Sequence, residues 1–202
     1  MPNITKVTAE EWIDAARDAL INDGLAAVKI DRLAKTLGVT RGGFYHHFEN
    51  HDALLDYLLE RWATSNGFLQ ETRSPKTKAE AFAEINKLVD RLIQEEAYSP
   101  AFDMAVREWA RIDPEVRRIV EKVDDDRIKW LTELFTVLGF NSKEALMRGR
   151  MLYMHQVGFY SIGYHTRYGA SERLRNKPAY LEIICGRPYA AAAKRRKAAK
   201  RA

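Results

Sequence analysis

The chain has 202 residues, enough for one large helical domain or for a small domain joined to a larger one. Its single cysteine, Cys185, excludes an internal disulfide, and no CxxC or Cys/His array indicates a structural zinc site. The N-terminus lacks the pattern of a signal peptide, and no apolar run approaches membrane-spanning length. We therefore expect a cytoplasmic protein without a membrane partner.

The formal net charge is +5, but the excess lies at the C-terminus. Six of the last nine residues are Lys or Arg, and without them the rest of the chain has a formal net charge of −1. Residues 188–202 are otherwise mostly alanine, so we predict a disordered basic tail. Such a tail either binds phosphates without sequence preference or only keeps the chain soluble.

The first two helices are predicted from their end signals. Thr8 and Glu11 form a capping box, in which each side chain accepts a hydrogen bond from the other residue's backbone amide. The helix that follows ends at Gly24. A short second helix ends at Gly38, because glycine adopts the left-handed conformation at little steric cost.

A third and a fourth helix follow at once. Thr40 is predicted to cap a helix of about two turns. In it Phe44 and Phe48 are one turn apart and face the first two helices. Asn50 caps the fourth helix, which runs to about Asn66. We expect residues 1–50 to form a small helical headpiece and residues 51–66 to form a connecting helix.

The stretch LAKTLGVTRGGFYHHF, residues 33–48, has the pattern of a helix-turn-helix unit. Two successive glycines inside a helix cost about 1 kcal/mol each relative to alanine, so a gain elsewhere must offset them. Close approach of the backbone to DNA bases supplies that gain, while Arg41 binds guanine or phosphate and Tyr45 donates to phosphate. The alternative is an ordinary surface helix with a frayed start. The predicted outward face comprises Thr40, Arg41, Gly42, Gly43, Tyr45, His46 and His47.

The rest of the chain is also predicted to be helical. A polar stretch, residues 70–78, marks the boundary, and no period-two alternation indicates a strand beyond it. The Ser-Pro and Asp-Pro pairs at 99–100 and 113–114 are typical helix starts, and Asn141 or Ser142 caps a later helix. The chain is thus expected to be all-α, with residues 67–187 as a second domain and helices over 79–96, 100–112, 114–138 and 142–165.

The last of these helices contains glycines at 149, 158 and 163 among large apolar residues. Interior glycines allow close helix packing, which suits a two-fold interface between copies of the chain. Packing within one chain is the alternative. The predicted interface residues are Val157, Gly158, Phe159, Ile162 and Gly163.

The sequence DRLAKTLGVTRGGFYHHFENHDALL, residues 31–55, resembles the DNA-binding headpiece of the TetR family of transcriptional regulators. The matching positions are Ala34, Gly38, Val39, Tyr45, Phe48 and Leu54. The resemblance covers about residues 8–65, and the remainder has the length and helix order of the family's ligand-binding and dimerisation domain. It implies a homodimer that binds a near-palindromic double-stranded DNA operator, with a C-terminal helix near residues 180–184 completing a four-helix dimer interface.

Two positions depart from the family pattern. The threonine usual at the start of the second helix falls at Val28 or Lys29, and the lysine usual at the start of the fourth helix is His51. We include Lys29 and His51 among the expected DNA contacts. Since a neutral histidine anchors a phosphate weakly, weaker or pH-sensitive binding is expected.

The resemblance also implies a ligand cavity with apolar walls and a few convergent polar groups. Met and aromatic residues at helical spacing are more often core, and that alternative stays open for every candidate. The candidates are Phe102, Met104, Trp109, Met151, Tyr153, His155 and Tyr160.

These features together predict a homodimeric, sequence-specific transcriptional regulator, a repressor released from its operator by a small apolar or aromatic effector. No cofactor or metal is expected. The alternative is a DNA-coating protein that binds without sequence preference. A helical enzyme or metal-binding bundle is more remote, because the sequence contains no HExxH, GxSxG or phosphate-binding glycine loop.

Overall fold

The structure, a computed structural model, describes residues 7–65 and 75–186. Within those residues the chain forms nine α-helices and no β-strand, so the all-α prediction is confirmed. The helices are α1 (Ala9–Asp23), α2 (Ile30–Leu37), α3 (Arg41–Phe44), α4 (His51–Ser65), α5 (Lys78–Gln94), α6 (Pro100–Ile112), α7 (Pro114–Leu138), α8 (Ser142–Ser161) and α9 (Ala170–Cys185).

The capping box predicted at the start of α1 is confirmed. The Glu11 amide donates to Thr8 Oγ1 at 3.3 Å, and the Thr8 amide donates to Glu11 Oε2 at 2.7 Å. Thr77 and Glu80 form a second capping box at the start of α5. Reciprocal bonds of this kind satisfy amides that a helix N-terminus otherwise leaves unpaired.

Side-chain caps also fix the later helix starts. Ser99 Oγ accepts from the Phe102 amide at 3.3 Å, and Asp113 Oδ1 accepts from the Glu115 amide at 2.9 Å. Of the two candidate caps before α8, Asn141 is the one used, because its Oδ1 accepts from the Glu144 amide at 3.1 Å.

Three helix lengths differ from the prediction. The third helix is four residues long rather than about two turns, because its two glycines favour helix weakly and the chain continues as turn. Helix α8 ends at Ser161 instead of residue 165, because Gly163 adopts a left-handed turn with φ 73°. Helix α9 begins ten residues before the expected 180–184 segment and includes Pro178.

The chain forms two compact units. Unit 1 comprises Met1–Asn66 and Ser99–Glu121, and unit 2 comprises Gly67–Tyr98 and Lys122–Ala202. The expected division grouped residues 67–187 together, whereas α6 and the first turns of α7 pack with the N-terminal helices. Unit 1 is therefore assembled from two separate segments of the chain.

The core of unit 1 is built around aromatic side chains. Trp12 and Phe44 are fully buried and meet edge to face, with ring centroids 5.3 Å apart, and Phe48 stacks on Phe44 at 5.1 Å. Trp62 Nε1 of α4 donates to Asp103 Oδ1 of α6 at 3.0 Å. Asp103 is 1 % exposed, so this bond ties α4 to α6 inside the unit.

Unit 2 buries an aliphatic core between α5, α7, α8 and α9. Leu88, Leu131, Leu134 and Phe135 are fully buried. The C-terminal end of α9 is held from α8, where Arg148 Nη1 donates to the Ile184 carbonyl at 2.6 Å. That bond satisfies a carbonyl that the helix end leaves unpaired.

Candidate functional site

The turn between α2 and α3 positions the candidate DNA-binding helix. Gly38 is left-handed, with φ 68° and ψ 27°, and its amide donates to the Lys35 carbonyl at 3.3 Å. The Val39 amide donates back to the Ala34 carbonyl at 3.0 Å. This bond pattern is a Schellman motif, which reverses the chain within two residues. The turn predicted at Gly38 and Val39 is confirmed.

One side of α3 is anchored in the core of unit 1. Phe44 is fully buried between Trp12 and Phe48, as described above. The burial of this single ring fixes the rotation of a helix that is too short to be stable by itself. The opposite face of α3 therefore points out of the unit.

The outward face presents a cation beside a phenol. Tyr45 is 52 % exposed and Arg41 is also exposed. A hydrogen bond with Tyr45 and the nearby Asp31 carboxylate raise the pKa of the Arg41 guanidinium. The Arg41 Nε to Asp31 Oδ1 distance is 3.4 Å, and water screens this exposed pair, so it contributes little to stability. The guanidinium can exchange Asp31 for a phosphate or a guanine edge.

Gly42 and Gly43 leave the middle of this face without side chains. A Cβ built at Gly43 would meet no heavy atom within 4 Å in the described part of the chain, and one at Gly42 would meet only Thr40 Oγ1 at 3.7 Å. Packing within the chain therefore does not require either glycine. The surface there is free of side-chain bulk, and an exposed Thr40 lies beside it.

The three histidines of this region lie in different environments. His46 is exposed, whereas His47 Nε2 lies 2.8 Å from the Val7 carbonyl and His51 Nε2 lies 2.6 Å from the Val28 carbonyl. A carbonyl accepts only, so Nε2 must carry the proton in both rings. Each ring can then donate to a phosphate only through a protonated Nδ1. Lys29 is exposed at the N-cap of α2.

Unit 2 contains a cavity of about 290 Å³ between α5, α8 and α9. Apolar and aromatic side chains make most of its wall, which is typical of small-molecule sites. The lining residues are Val89, Leu92, Ile93, Leu152, His155, Gln156, Phe159, Tyr164, Tyr168, Glu172, Arg173, Asn176, Lys177 and Tyr180.

Arg173 is the centre of the polar part of this wall. Its Nη1 donates to the Tyr160 hydroxyl at 2.8 Å and its Nη2 donates to Gln156 Oε1 at 3.3 Å. The guanidinium carbon also lies 4.3 Å from the centre of the Phe159 ring. The Tyr160 hydroxyl donates in turn to Glu95 Oε1 at 2.9 Å. The guanidinium is thus held by three side chains of one helix, α8.

Two titratable side chains of the wall have shifted pKa values. Burial, reinforced by the positive charge of Arg173, lowers the pKa of His155 below its usual 6.5. Burial also raises the pKa of the Tyr180 phenol. Both groups are therefore neutral near pH 7.

The seven predicted ligand contacts are dispersed through the fold. His155 lines the cavity, and Tyr160 lies directly behind it as the acceptor for Arg173. Tyr153 is buried in unit 2 and donates to Asp124, and Met151 is 51 % exposed. The remaining three lie on α6 in unit 1, where Phe102 and Trp109 are buried and Met104 is half-buried.

Sequence reasoning missed the polar residues of the cavity. Gln156 and Arg173 lie on two different helices, and α9 was expected to begin only near residue 180. A helix predicted over residues 170–179 from amphipathic spacing would have placed Arg173 on α9. Phe159, which was predicted in a dimer interface, lines the cavity.

The predicted interface residues lie at the C-terminal end of α8 and just beyond it. Ile162 is 69 % exposed, and a Cβ at Gly158 would meet nothing within 4 Å among the described residues. Met147, Met151 and Met154 are 53 %, 51 % and 60 % exposed, and they continue the same side of α8 at helical spacing. We call Met147, Met151, Met154, Gly158 and Ile162 the α8 stripe.

Gly149, by contrast, packs within one chain. A Cβ at Gly149 would lie 3.1 Å from Thr132 Oγ1 and 3.2 Å from the Thr132 backbone nitrogen. This glycine therefore allows α8 to pack closely on α7 of the same chain.

Residues 7–65 and 75–186 contain no cluster of three or more His, Cys, Asp or Glu side chains suited to a metal ion. No helix in the same ranges is both long and apolar enough to cross a membrane. The predicted basic tail, residues 188–202, lies outside the described residues.

Comparison with known proteins agrees with this geometry. Residues 13–58 match the family described as bacterial regulatory proteins, tetR family. Over 50 residues the chain is 40 % identical to the Transposon Tn10 TetC protein of Escherichia coli, a match that covers 25 % of each chain. The match thus spans about a quarter of the length of that curated relative.

Two solved structures share the fold over most of their length. A transcriptional regulator from Rhodococcus sp. Rha1 superposes with a TM-score of 0.65 at 21 % identity, over 89 % of this chain and 95 % of that one. The reduced form of NemR from E. coli gives 0.63 at 19 % identity, over 88 % and 97 %. At these identities the likeness concerns the fold.

Proposed function

We propose that this chain, whose N-terminal domain belongs to the tetR family of bacterial regulatory proteins, is a homodimeric transcriptional regulator that binds its operator in a sequence-specific way. The observation that carries the proposal is the outward face of α3. It combines an exposed Arg41 and Tyr45 with two glycines that the chain does not need for its own packing.

In this proposal α3 enters the major groove of DNA. Gly42 and Gly43 let the helix backbone approach the base edges, and Arg41 binds a guanine or a phosphate. Tyr45 donates its hydroxyl to a phosphate oxygen. Lys29, His47 and His51 flank the helix and neutralise the DNA backbone, with the two histidines contributing when they are protonated.

The α8 stripe supports the dimer. Methionine and isoleucine side chains that are more than half exposed along one helix form the kind of apolar patch that a second protein surface covers. Pairing through a two-fold axis would bury the stripe against its own copy. The two α3 helices would then read half-sites about 34–36 Å apart.

We further propose that the regulator is a repressor released by a small molecule bound in the cavity of unit 2. A ligand that binds better to one arrangement of the dimer shifts the population toward it, and operator affinity falls if that arrangement no longer fits both half-sites. Helix α4 is the proposed lever in unit 1, because the Trp62 to Asp103 bond couples it to α6.

The DNA proposal is tested with Arg41→Ala and the matched control Arg111→Ala in the full chain. Both side chains are exposed, at 60 % and 74 %, but Arg111 lies on α6. A duplex is first selected from a randomised pool, and binding is then followed by fluorescence anisotropy. We expect Arg41→Ala to weaken binding about tenfold or more, since one good base contact is worth about 1–3 kcal/mol. Arg111→Ala should bind within about twofold of the wild type.

Equal losses in both variants would reject α3 as the reader. Equal affinity for a scrambled duplex would favour the DNA-coating alternative. Deletion after Ala193 separates the contribution of the tail, because loss of its basic residues flattens the salt dependence of any non-specific binding.

The dimer proposal is tested by sedimentation of Met154→Lys beside Ile112→Lys. The two side chains are 60 % and 72 % exposed, but only Met154 belongs to the α8 stripe. A buried lysine pair at a two-fold interface repels, so Met154→Lys should sediment as a monomer at micromolar concentration while Ile112→Lys remains dimeric. Unchanged dimerisation of Met154→Lys would place the interface elsewhere.

A further inference from the structure

We infer that the cavity in unit 2 binds a small apolar or aromatic molecule that carries a carboxylate, an inference that rests on the effector role proposed above. Two residues carry hydrogen-bond donors without an acceptor among the described residues: Gln156, through its buried side-chain amide, and Arg173, through its remaining N–H groups. Both belong to the residues that line the cavity.

The first donor is the side-chain amide of Gln156. This residue is 4 % exposed, and its Nε2 is buried without a hydrogen-bond partner in the structure. Its Oε1 accepts from Arg173, so the amide orientation is fixed with the NH₂ group as the unpaired end. An unpaired buried donor costs about 1–3 kcal/mol, and an acceptor that arrives with a ligand removes that cost.

The second donor is the Arg173 guanidinium. Its hydrogen-bond partners, Tyr160 and Gln156, are neutral, and it forms no ion pair with a carboxylate among residues 7–65 and 75–186. Two of its five N–H groups are used in those bonds, so donors remain for a ligand. A half-buried cation without a counter-ion favours an anion more strongly than a neutral acceptor.

Lys177, Glu172 and Glu95 are the other charged groups in or behind the wall. Lys177 is neutralised by Asp90, whose Oδ1 lies 2.5 Å from the lysine Nζ, and the amine also donates to the Asn86 carbonyl. Glu172 is the one carboxylate among the lining residues, and it lies next to Arg173 in the sequence of α9. The Glu95 carboxylate behind the wall accepts from Tyr160. Arg173 and Glu172 are thus the two charged lining residues without an ion pair among the described residues, and of the two the guanidinium is the one that contacts Gln156.

The rest of the cavity selects an apolar body. Val89, Leu92, Ile93 and Leu152 form one wall, and Phe159, Tyr164, Tyr168 and Tyr180 supply aromatic rings. The volume of about 290 Å³ is at the lower end of the range for small-molecule sites, about 300–1,000 Å³. One or two fused rings or a medium-length acyl chain fit that space.

The test uses the full chain and three probes of equal shape: 2-naphthoate, 2-naphthamide and 2-(aminomethyl)naphthalene. Octanoate serves as a fourth probe with an aliphatic body. Isothermal titration calorimetry is expected to show at least tenfold tighter binding of 2-naphthoate than of the amide, and no measurable binding of the amine. Tighter binding of the amide or the amine, or no binding of either carboxylate, would overturn the inference.

Substitutions in the cavity wall test whether Arg173 binds the carboxylate of the ligand. Arg173→Gln is expected to remove the preference for 2-naphthoate over 2-naphthamide, whereas Arg175→Gln keeps it, because Arg175 is exposed on the same helix outside the cavity lining. Gln156→Leu reduces the preference while preserving a buried side chain of similar length. If Arg173→Gln is poorly folded by circular dichroism, Arg173→Lys provides the comparison, with weakened but retained selectivity. Unchanged selectivity in the folded variants would place the anion elsewhere.

Operator binding is measured in the same samples, because it distinguishes failure of the carboxylate inference from failure of the proposed DNA-binding function. Failure of this inference leaves sequence-specific DNA binding intact with no response to any carboxylate. Failure of the proposed function appears as absent or non-selective DNA binding, whatever the calorimetry shows.

Discussion

Replacement of Gly43 by alanine is expected to stabilise the protein and to weaken its DNA binding. Gly43 does not have a positive φ, and a Cβ there would meet no heavy atom within 4 Å in the described residues. Alanine is therefore accommodated without strain. Because glycine in a helix costs about 0.5–1 kcal/mol relative to alanine, the free energy of unfolding should rise by about that amount.

The same methyl group lies on the face that we propose to enter the major groove. If the backbone of α3 contacts base edges there, the added methyl keeps it away from them. The loss is expected to be about 1–3 kcal/mol per half-site, the scale of one direct base contact. Since 1.4 kcal/mol corresponds to a factor of ten, operator affinity should fall by about tenfold or more.

Thermal unfolding and fluorescence anisotropy on one preparation measure both effects. For a chain of this size, a gain of about 1 kcal/mol corresponds to a rise of roughly 2–4 °C in Tm. Gly169→Ala is the binding control, because its position is also open but lies at the N-cap of α9. A stabilised Gly43→Ala protein that binds its operator as tightly as the wild type would refute the placement of α3 in the groove. A lower Tm for Gly43→Ala than for the wild type would show that the added methyl group does not fit the space beside Gly43.

Further predictions concern unit 2. Gly149→Ala should lower the denaturation midpoint by the equivalent of about 1 kcal/mol, because the new methyl crowds the Thr132 backbone and outweighs the gain in helix preference; a midpoint at or above that of the wild type would show that the two helices separate easily. In a histidine NMR titration, His155 should titrate below pH 6.5, and Arg173→Gln should raise its pKa by removing a nearby positive charge. Because the pKa of His155 is lower in the folded state, the unfolded chain binds more protons, and stability falls as the pH decreases below about 6.5. His155→Gln should lose less stability than the wild type between pH 7 and pH 5, and an equal loss would contradict this account.

Local signals predicted most of the fold. The capping box at Thr8 and the turn at Gly38 depend on hydrogen bonds between residues no more than five positions apart, so the sequence pattern contains them directly. The length of α3 was overestimated because its glycine pair favours helix weakly, and that weakness decides where a short helix ends. Helix α9 begins ten residues before the predicted segment and accommodates Pro178 in its interior.

The same distinction between local signals and tertiary packing applies to the candidate site. The outward face of α3 lies within a few residues of one turn, so its composition could be read directly from the sequence. The donors of the cavity depend on the packing of α8 against α9, which no local pattern specifies. Phe102 and Trp109 are a further example. Their apolar character indicated that they are buried, but not that they lie in the core of unit 1.

The division of unit 1 into two chain segments also affects how this unit folds while the chain is being synthesised. The helices of the headpiece leave the ribosome first, but the partner that accepts the hydrogen bond of Trp62, Asp103, lies in the later segment Ser99–Glu121. At translation rates of about 5–20 residues per second, the second segment follows the first after several seconds. During that interval one face of α4 lacks its native cover, and Trp62 lacks its hydrogen-bond acceptor. A gene truncated after residue 66 would make that transient exposure permanent.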